Sequence, residues 1–257
     1  MRVGEVEYAV LGGGDPVTVL AHGLAGGPHE TRPLAAQLEG TRVLLTFRGH
    51  GASGSLRSDW GYDDLAADLL LVADAVGATR AVGLSVGAGA LLHLLASDPG
   101  RFDAFVLALP ASLDRARTDA GTRRLELIGE AVAAGDAVEV LTAVLAELPL
   151  ELRDTRAARV IAARRARELM ERVPPSPAAD ARPVADPAKL AAVRAPALVL
   201  AQEDDPLHPV TVAEQVAAAL PCSRLVVLPP AGLAWTARDR VAAELRAHLG
   251  RVPASCP

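Results

Sequence analysis

The stretch Ala81-Val82-Gly83-Leu84-Ser85-Val86-Gly87 decides the fold of this chain, because a short apolar run passes there through a glycine–serine–glycine turn into a helical pattern. Residues 81–84 are few enough to form a strand buried on both faces, and residues 86–97 carry leucine and alanine at helical spacing. A sharp turn between strand and helix exposes the serine hydroxyl above the sheet and aims the first amides of the helix at an anion forming there. Ser85 is therefore a candidate nucleophile. The structural alternative is that Ser85 only caps the helix.

Strand-like and helix-like segments alternate on both sides of this turn. Short apolar runs bounded by glycine or proline predict buried strands at residues 17–21, 43–47, 81–84, 104–109, 197–201 and 225–228. Amphipathic windows predict helices at residues 31–39, 62–76, 86–97, 210–220 and 237–249. The alternation predicts an α/β fold with a doubly wound, mostly parallel sheet, because parallel neighbours are joined by right-handed crossovers. The first eleven residues, followed by Gly12-Gly13-Gly14-Asp15, predict an antiparallel hairpin at the edge of that sheet.

One segment interrupts the alternation. Residues 113–192 contain no convincing strand, only arginine- and alanine-rich helical sequence ending in a proline-rich stretch at 174–187. We interpret this segment as an inserted helical cap on a core made of residues 1–112 and 193–257. A helical insertion after a strand covers the carboxyl edge of the sheet, where open α/β folds bind ligands, so the cap is expected to control substrate access.

The cap segment also carries a local excess of positive charge. Residues 153–172 include seven arginines against three acidic residues. The excess predicts attraction of an anionic substrate, a carrier protein or a coenzyme A phosphate. The simpler interpretation is a solvated helix face.

Three more polar loops follow predicted strands. Residues 21–27 read Ala-His-Gly-Leu-Ala-Gly-Gly, residues 47–53 read Phe-Arg-Gly-His-Gly-Ala-Ser, and residues 204–209 read Asp-Asp-Pro-Leu-His-Pro. Because the carboxyl ends of parallel strands meet at one edge, we expect these loops to converge on Ser85. In their order along the chain, the two glycine loops, the serine turn, the helical insertion and the acidic loop resemble the α/β-hydrolase superfamily.

The resemblance implies a role for several residues. It makes Ser85 the nucleophile, the amides of Leu24 and Val86 the oxyanion hole, and Asp205 the acid of a catalytic triad. In the family a histidine usually follows the last strand, but here Leu233 occupies that position. Leucine cannot accept a proton, so the usual acyl-enzyme route would lack its base.

Two other histidines could replace the missing base. His208 lies three residues after Asp205, and His29 follows the first glycine loop beside Glu30. If neither reaches Ser85, Asp205 would face an apolar side chain, which should raise the pKa of Asp205 by desolvation and could make it a base itself.

Other residues are expected near the substrate. Trp235 and Leu233 are predicted to contact it, and His22, at the start of the first glycine loop, is placed on the same binding surface. The resemblance implies instead that His22 and His50 hold their loops together by hydrogen bonds.

Composition limits the possible partners. The 257 residues include 26 basic and 31 acidic side chains, so the net charge of −5 argues against nucleic acid as a partner. No apolar run approaches the length of a membrane helix, and the first ten residues carry Glu5 and Glu7, which do not suit a signal peptide. We therefore expect a cytoplasmic protein with a small-molecule substrate, no membrane partner, no cofactor and no metal. The oligomeric state is not predicted.

Three functions remain open at this point. The first is a serine acyl hydrolase of a small ester, thioester or lactone, with an atypical or relocated base. The second is a lyase, cyclase or isomerase that uses the oxyanion hole and Asp205 without an acyl-enzyme. The third is a catalytically inactive member that binds a ligand in the same pocket.

Overall fold

A computed structural model describes residues 1–116, 120–172 and 181–250 of the chain. Eight strands in this part form one sheet with the order β1-β2-β4-β3-β5-β6-β7-β8. The strands are β1 (Arg2–Val3), β2 (Val6–Gly12), β3 (Val17–Ala21), β4 (Thr41–Thr46), β5 (Arg80–Leu84), β6 (Ala104–Ala108), β7 (Ala197–Gln202) and β8 (Ser223–Leu228). Strands β3 to β8 all run parallel to one another, whereas β1 pairs antiparallel with β2 and β2 pairs antiparallel with β4. The mostly parallel sheet is confirmed.

Helices cover both faces of this sheet. The helices are α1 (Pro28–Ala35), α2 (Tyr62–Val76), α3 (Val86–Ser97), α4 (Ala120–Ala133), α5 (Ala137–Leu145), α6 (Leu150–Arg153), α7 (Arg156–Arg172), α8 (Val210–Ala219) and α9 (Arg238–Leu249). Side chains alternate along each buried strand: Val19 joins the core under α2, α3 and α8, and its neighbour Leu20 joins the core under α1 and α9. The sheet is thus doubly wound.

An antiparallel hairpin does lie at the amino-terminal edge of the sheet, where Val3 of β1 is opposite Val6 of β2. Strand β2 also pairs antiparallel with β4, with Tyr8 opposite Leu45. The glycine run at 12–15 therefore leads past β4 instead of turning back on β2. Strand β3 lies between β4 and β5 and is buried on both faces, a position that suits its uninterrupted apolar sequence.

Helices α4 to α7, here called the cap helices, lie between β6 and a 3₁₀ helix at Pro187–Ala192. They have an apolar core of their own, which includes Val140, Val144 and Ala162 and is joined by Ala25 from the first glycine loop. The cap helices are therefore seated on that loop. The predicted proline-rich stretch at 174–187 lies partly outside the described residues.

The chain returns to the sheet before the end of the predicted cap. The amide of Val184 donates to the carbonyl of Leu113 at 2.9 Å, and Leu190 is buried in the core shared with α3. No helix in the described ranges has both the length and the apolar character needed to cross a membrane.

Candidate active site

Ser85 occupies a strained turn between β5 and α3. Its φ of 53° lies in the left-handed region, which residues other than glycine rarely adopt, and its amide donates to the carbonyl of Ala108 at 2.9 Å. The flanking glycines leave no room for side chains: a Cβ on Gly83 would lie 2.5 Å from the carbonyl oxygen of Gly87, and one on Gly87 would lie 2.6 Å from that of Ala21. The side chain of Ser85 makes no capping bond to α3, so it is available for other contacts.

A histidine and an aspartate from one loop complete a hydrogen-bonded chain with Ser85. Ser85 Oγ lies 2.8 Å from His208 Nε2, and His208 Nδ1 lies 2.8 Å from Asp205 Oδ2. The other carboxylate oxygen of Asp205 accepts the amides of Leu207, at 2.9 Å, and His208, at 3.1 Å. This is the serine–imidazole–carboxylate arrangement in which the imidazole can take the hydroxyl proton and the carboxylate orients the ring.

The pKa of Asp205 is lowered. Burial alone would raise it, but the hydrogen bond and charge of His208, together with the bonds from Gln202 and the Leu207 amide, outweigh burial and lower the pKa of Asp205. The rise was expected only if no histidine faced this carboxyl group, and His208 faces it at 2.8 Å.

Leu233 follows β8 on a π-helical turn, Gly232–Thr236, and its side chain packs in the apolar core beneath α1 and α9. Gln202, the last residue of β7, bridges the backbone amide of Leu233 and the carboxylate of Asp205. The Leu233 amide donates to Gln202 Oε1 at 3.2 Å, and Gln202 Nε2 donates to Asp205 Oδ2 at 2.8 Å. Sequence reasoning did not identify Gln202, because no motif marks the end of that strand.

The loop after β3 lies against the serine. A Cβ on Gly23 would be 3.5 Å from the Cβ of Ser85. The amides of Leu24 and Val86 donate to no other described residue, and both residues line the cavity beside Ser85. Val86 is the first residue of α3, so its amide has no acceptor within the helix. These amides are therefore available to an oxyanion.

Two buried histidines, His22 and His50, stabilise this loop through hydrogen bonds to the backbone. The amide of Ala25 donates to His50 Nε2, and the amide of Phe47 donates to His22 Nε2, both at 3.1 Å. Since Nε2 accepts in each case, the proton resides on Nδ1, which faces the Gly23 carbonyl in His22 and the Arg48 carbonyl in His50.

The placement of His22 on the substrate-binding surface is corrected. Its side chain is fully buried and both ring nitrogens bond to the backbone. Burial and the neighbouring His50 lower the pKa of His22 to about 3, so the ring stays neutral. His22 supports the loop and does not reach the cavity.

A sequence model described as the alpha/beta hydrolase fold matches residues 16–232 of the chain. The chain belongs to the alpha/beta hydrolase fold family. Solved structures of this fold superpose over nearly its whole length, at sequence identities that show the fold alone. They include a thermophilic esterase from Thermogutta terrifontis (TM-score 0.75, 19% identity, covering 96% of this chain and 93% of the other). Another is Est816, described as an N-acyl homoserine lactone degrading enzyme (0.74, 18%, 94% and 96%). A third is the putative non-heme bromoperoxidase BpoC from Mycobacterium tuberculosis (0.73, 20%, 98% and 98%).

In this α/β-hydrolase a cavity of about 1110 Å³ lies between the sheet edge and the cap helices, with Ser85 and His208 in its wall. Leu233 and Trp235, the residues predicted to contact the substrate, line the same cavity. His29 also lines it, but its Nδ1 lies 3.8 Å from Glu168 Oε1. Of the histidines in the described residues, His208 is the one that hydrogen-bonds to Ser85 Oγ.

Several arginines of the cap helices bond to other groups of the protein. Arg153 donates to the carbonyls of residues 146 and 148, Arg159 pairs with Asp154, and Arg165 pairs with Glu147 at 2.6 Å. Arg164 also lines the cavity, close enough to His29 and Glu168 to affect the pKa of each. In the part of the chain that the structure describes, no group of His, Cys, Asp and Glu is arranged to hold a metal ion.

Proposed function

We propose that this α/β-hydrolase is a serine acyl hydrolase that cleaves small esters, thioesters or lactones through an acyl-enzyme on Ser85. The observation that carries the proposal is the 2.8 Å contact between Ser85 Oγ and His208 Nε2, with His208 bonded in turn to Asp205. The side chains of His208 and Asp205 are only 14% and 10% exposed, so the bonds between them are shielded from water.

In the proposed reaction His208 Nε2 takes the hydroxyl proton as Ser85 Oγ attacks the acyl carbon. The carbonyl electrons move onto oxygen, and the amides of Leu24 and Val86 stabilise that oxyanion. Collapse of the intermediate expels the alcohol or thiol, which receives the proton from His208. Water then attacks the acyl-enzyme by the same route, releasing the acid and restoring Ser85. Asp205 holds the ring and stabilises the imidazolium that forms transiently.

The proposed base, His208, lies at a different place in the sequence from the usual family histidine, but it performs the same role. His208 and Asp205 belong to one short loop, whose amides fix the carboxylate, so the ring is oriented locally. Leu233, at the position implied by the resemblance, packs in the core and its backbone reaches the acid through Gln202. His208 therefore supplies what the side chain at 233 lacks.

The non-hydrolytic and binding-only alternatives rested on the missing base. With His208 against Ser85 that reason falls away, and a carboxyl group with a lowered pKa is a weak general base. The substrate class draws on Est816 and the thermophilic esterase, whose descriptions name a lactone-degrading enzyme and an esterase. Carrier-protein and coenzyme A thioesters belong to the proposed class because Arg164 lines the cavity.

The test is covalent labelling of the purified protein with a fluorophosphonate probe, combined with turnover of p-nitrophenyl esters and acyl thioesters. We expect a probe adduct on the peptide that contains Ser85 and release of p-nitrophenol above the buffer rate. Absence of both the adduct and turnover would overturn the proposal.

Gln202 offers a smaller and independent prediction. Gln202→Leu removes the bond to Asp205 Oδ2 and that from the Leu233 amide, and hydrogen bonds to charged groups contribute about 1.5–3 kcal/mol. We expect kcat to fall about 10- to 100-fold with little change in KM. Glu203→Gln, at the exposed neighbouring position, is the control and should keep wild-type kinetics. Equal kinetics in the two variants would contradict the role of Gln202.

A further inference from the structure

Glu30 places its carboxylate inside the first glycine loop. It is the third residue of α1, and its Oε2 accepts the amide of Gly23 at 3.1 Å. The loop wraps closely around the carboxylate: a Cβ on Gly26 would lie 2.1 Å from Glu30 Oε2 and 2.5 Å from its Cδ. A side chain at Gly26 would therefore displace the Glu30 carboxylate from this position.

The backbone amides of Gly23 and Ala25, on either side of Leu24, both donate hydrogen bonds to side chains. Glu30 holds the amide of Gly23, and His50 Nε2 holds the amide of Ala25 at 3.1 Å. The Leu24 amide between them donates to no other described residue. Two fixed neighbours leave the intervening peptide little freedom to rotate, so its N–H is held in one direction.

We infer that Glu30 is a positioning residue, whose carboxylate holds the Gly23 amide and thereby aims the Leu24 N–H at the reacting carbonyl oxygen. The inference rests on the proposed acyl hydrolase function, because it concerns the oxyanion hole of the same site. A preorganised donor stabilises the transition state without reorganising during the reaction, so its alignment affects kcat.

The cap helices supply a counter-charge to Glu30. Burial raises the pKa of Glu30, while the positive charge of Arg165 and the Gly23 amide act in the opposite direction. Two acidic residues of the cap segment, Glu147 and Glu168, are near the same group. Arg165 also pairs with Glu147 at 2.6 Å, and the charge of Glu30 acts on it as well. The net result is a raised pKa for Glu30, and Arg165 is the cap residue whose charge opposes that rise and favours the carboxylate form.

A pair of variants separates positioning from general structural damage. Glu30→Ala removes the acceptor, whereas Glu30→Gln keeps an oxygen that the Gly23 amide can reach. We expect Glu30→Ala to lower kcat about 10- to 100-fold with KM within about threefold, and Glu30→Gln to stay within about threefold of wild type. Glu168→Ala, which removes a nearby carboxyl group that does not bond to the loop, is the matched control and should leave kcat within about threefold.

Two further measurements address the oxyanion directly. A trifluoromethyl ketone forms a tetrahedral adduct whose oxygen occupies the hole, so its affinity should fall about 10- to 100-fold in Glu30→Ala and recover in Glu30→Gln. Amide hydrogen exchange at Gly23, followed by NMR, should speed up in Glu30→Ala alone.

The outcomes distinguish this inference from the proposed function. Wild-type protein without turnover or labelling would overturn the acyl hydrolase proposal. In an active enzyme, equal damage in the two Glu30 variants, or a rise in KM without a fall in kcat, would overturn the positioning role. Unchanged Gly23 exchange in Glu30→Ala would overturn it whether or not the enzyme turns over.

Discussion

Replacing His208 by glutamine is expected to lower kcat/KM for an activated ester by about 10⁴- to 10⁶-fold. Glutamine can still form a hydrogen bond to Ser85 Oγ, but it cannot take the hydroxyl proton, so the serine remains a weak nucleophile. The measurement is the initial rate of p-nitrophenyl ester hydrolysis at matched enzyme concentration, with circular dichroism to show that the variant is folded.

The comparison that decides this prediction is His29→Gln. His29 is the other candidate base in the sequence and lines the same cavity, but its Nδ1 lies 3.8 Å from Glu168 Oε1 and no described bond joins it to Ser85. We expect His29→Gln to change kcat by less than about tenfold, the scale of a residue that only borders the substrate. A larger loss in His29→Gln than in His208→Gln would mean that the ring facing Ser85 is not the base.

The second large effect is expected from Ser85→Ala. Removing the hydroxyl eliminates the acyl-enzyme, so kcat should fall by about 10⁶-fold toward the rate without enzyme, and fluorophosphonate labelling should disappear. Stability should change little, because the Ser85 side chain makes no capping bond to α3 and alanine meets the same backbone strain.

Ser97→Ala is the control for the serine variant. Ser97 lies at the other end of α3, where its hydroxyl donates to the carbonyl of Leu94 at 2.9 Å. It should retain both labelling and turnover. Turnover that survives in Ser85→Ala and disappears in Asp205→Asn would instead favour the lyase, cyclase or isomerase hypothesis.

Much of the fold could be predicted from local sequence patterns. The predicted helices at 62–76 and 86–97 and the predicted strand at 17–21 have the bounds seen in the structure. Hydrophobic periodicity is a local property, so a helix or strand can be predicted from it without knowing which elements it packs against. Helix α1 is an exception: it runs Pro28–Ala35 instead of 31–39, because Pro28 suits the first helical position.

Pairing between distant segments could not be predicted in the same way. The glycine run at 12–15 has the composition of a hairpin turn, but β4 pairs with both β2 and β3 and separates them. The choice of partner depends on which strands are buried on both faces once the sheet is assembled, and a local turn signal carries no information about that.

The sequence by itself determined the strand–serine–helix turn and the loops that meet there, because glycine spacing and apolar runs dictate those local conformations. Only the tertiary structure decided which histidine faces Ser85, since that depends on where the loop after β7 places His208 relative to the end of β5. The same holds for Gln202 and Glu30: each bonds to a loop or strand end that folding brings beside it. Whether two side chains far apart in the sequence form a bond depends on their distance in the folded protein, and local sequence patterns do not give that distance.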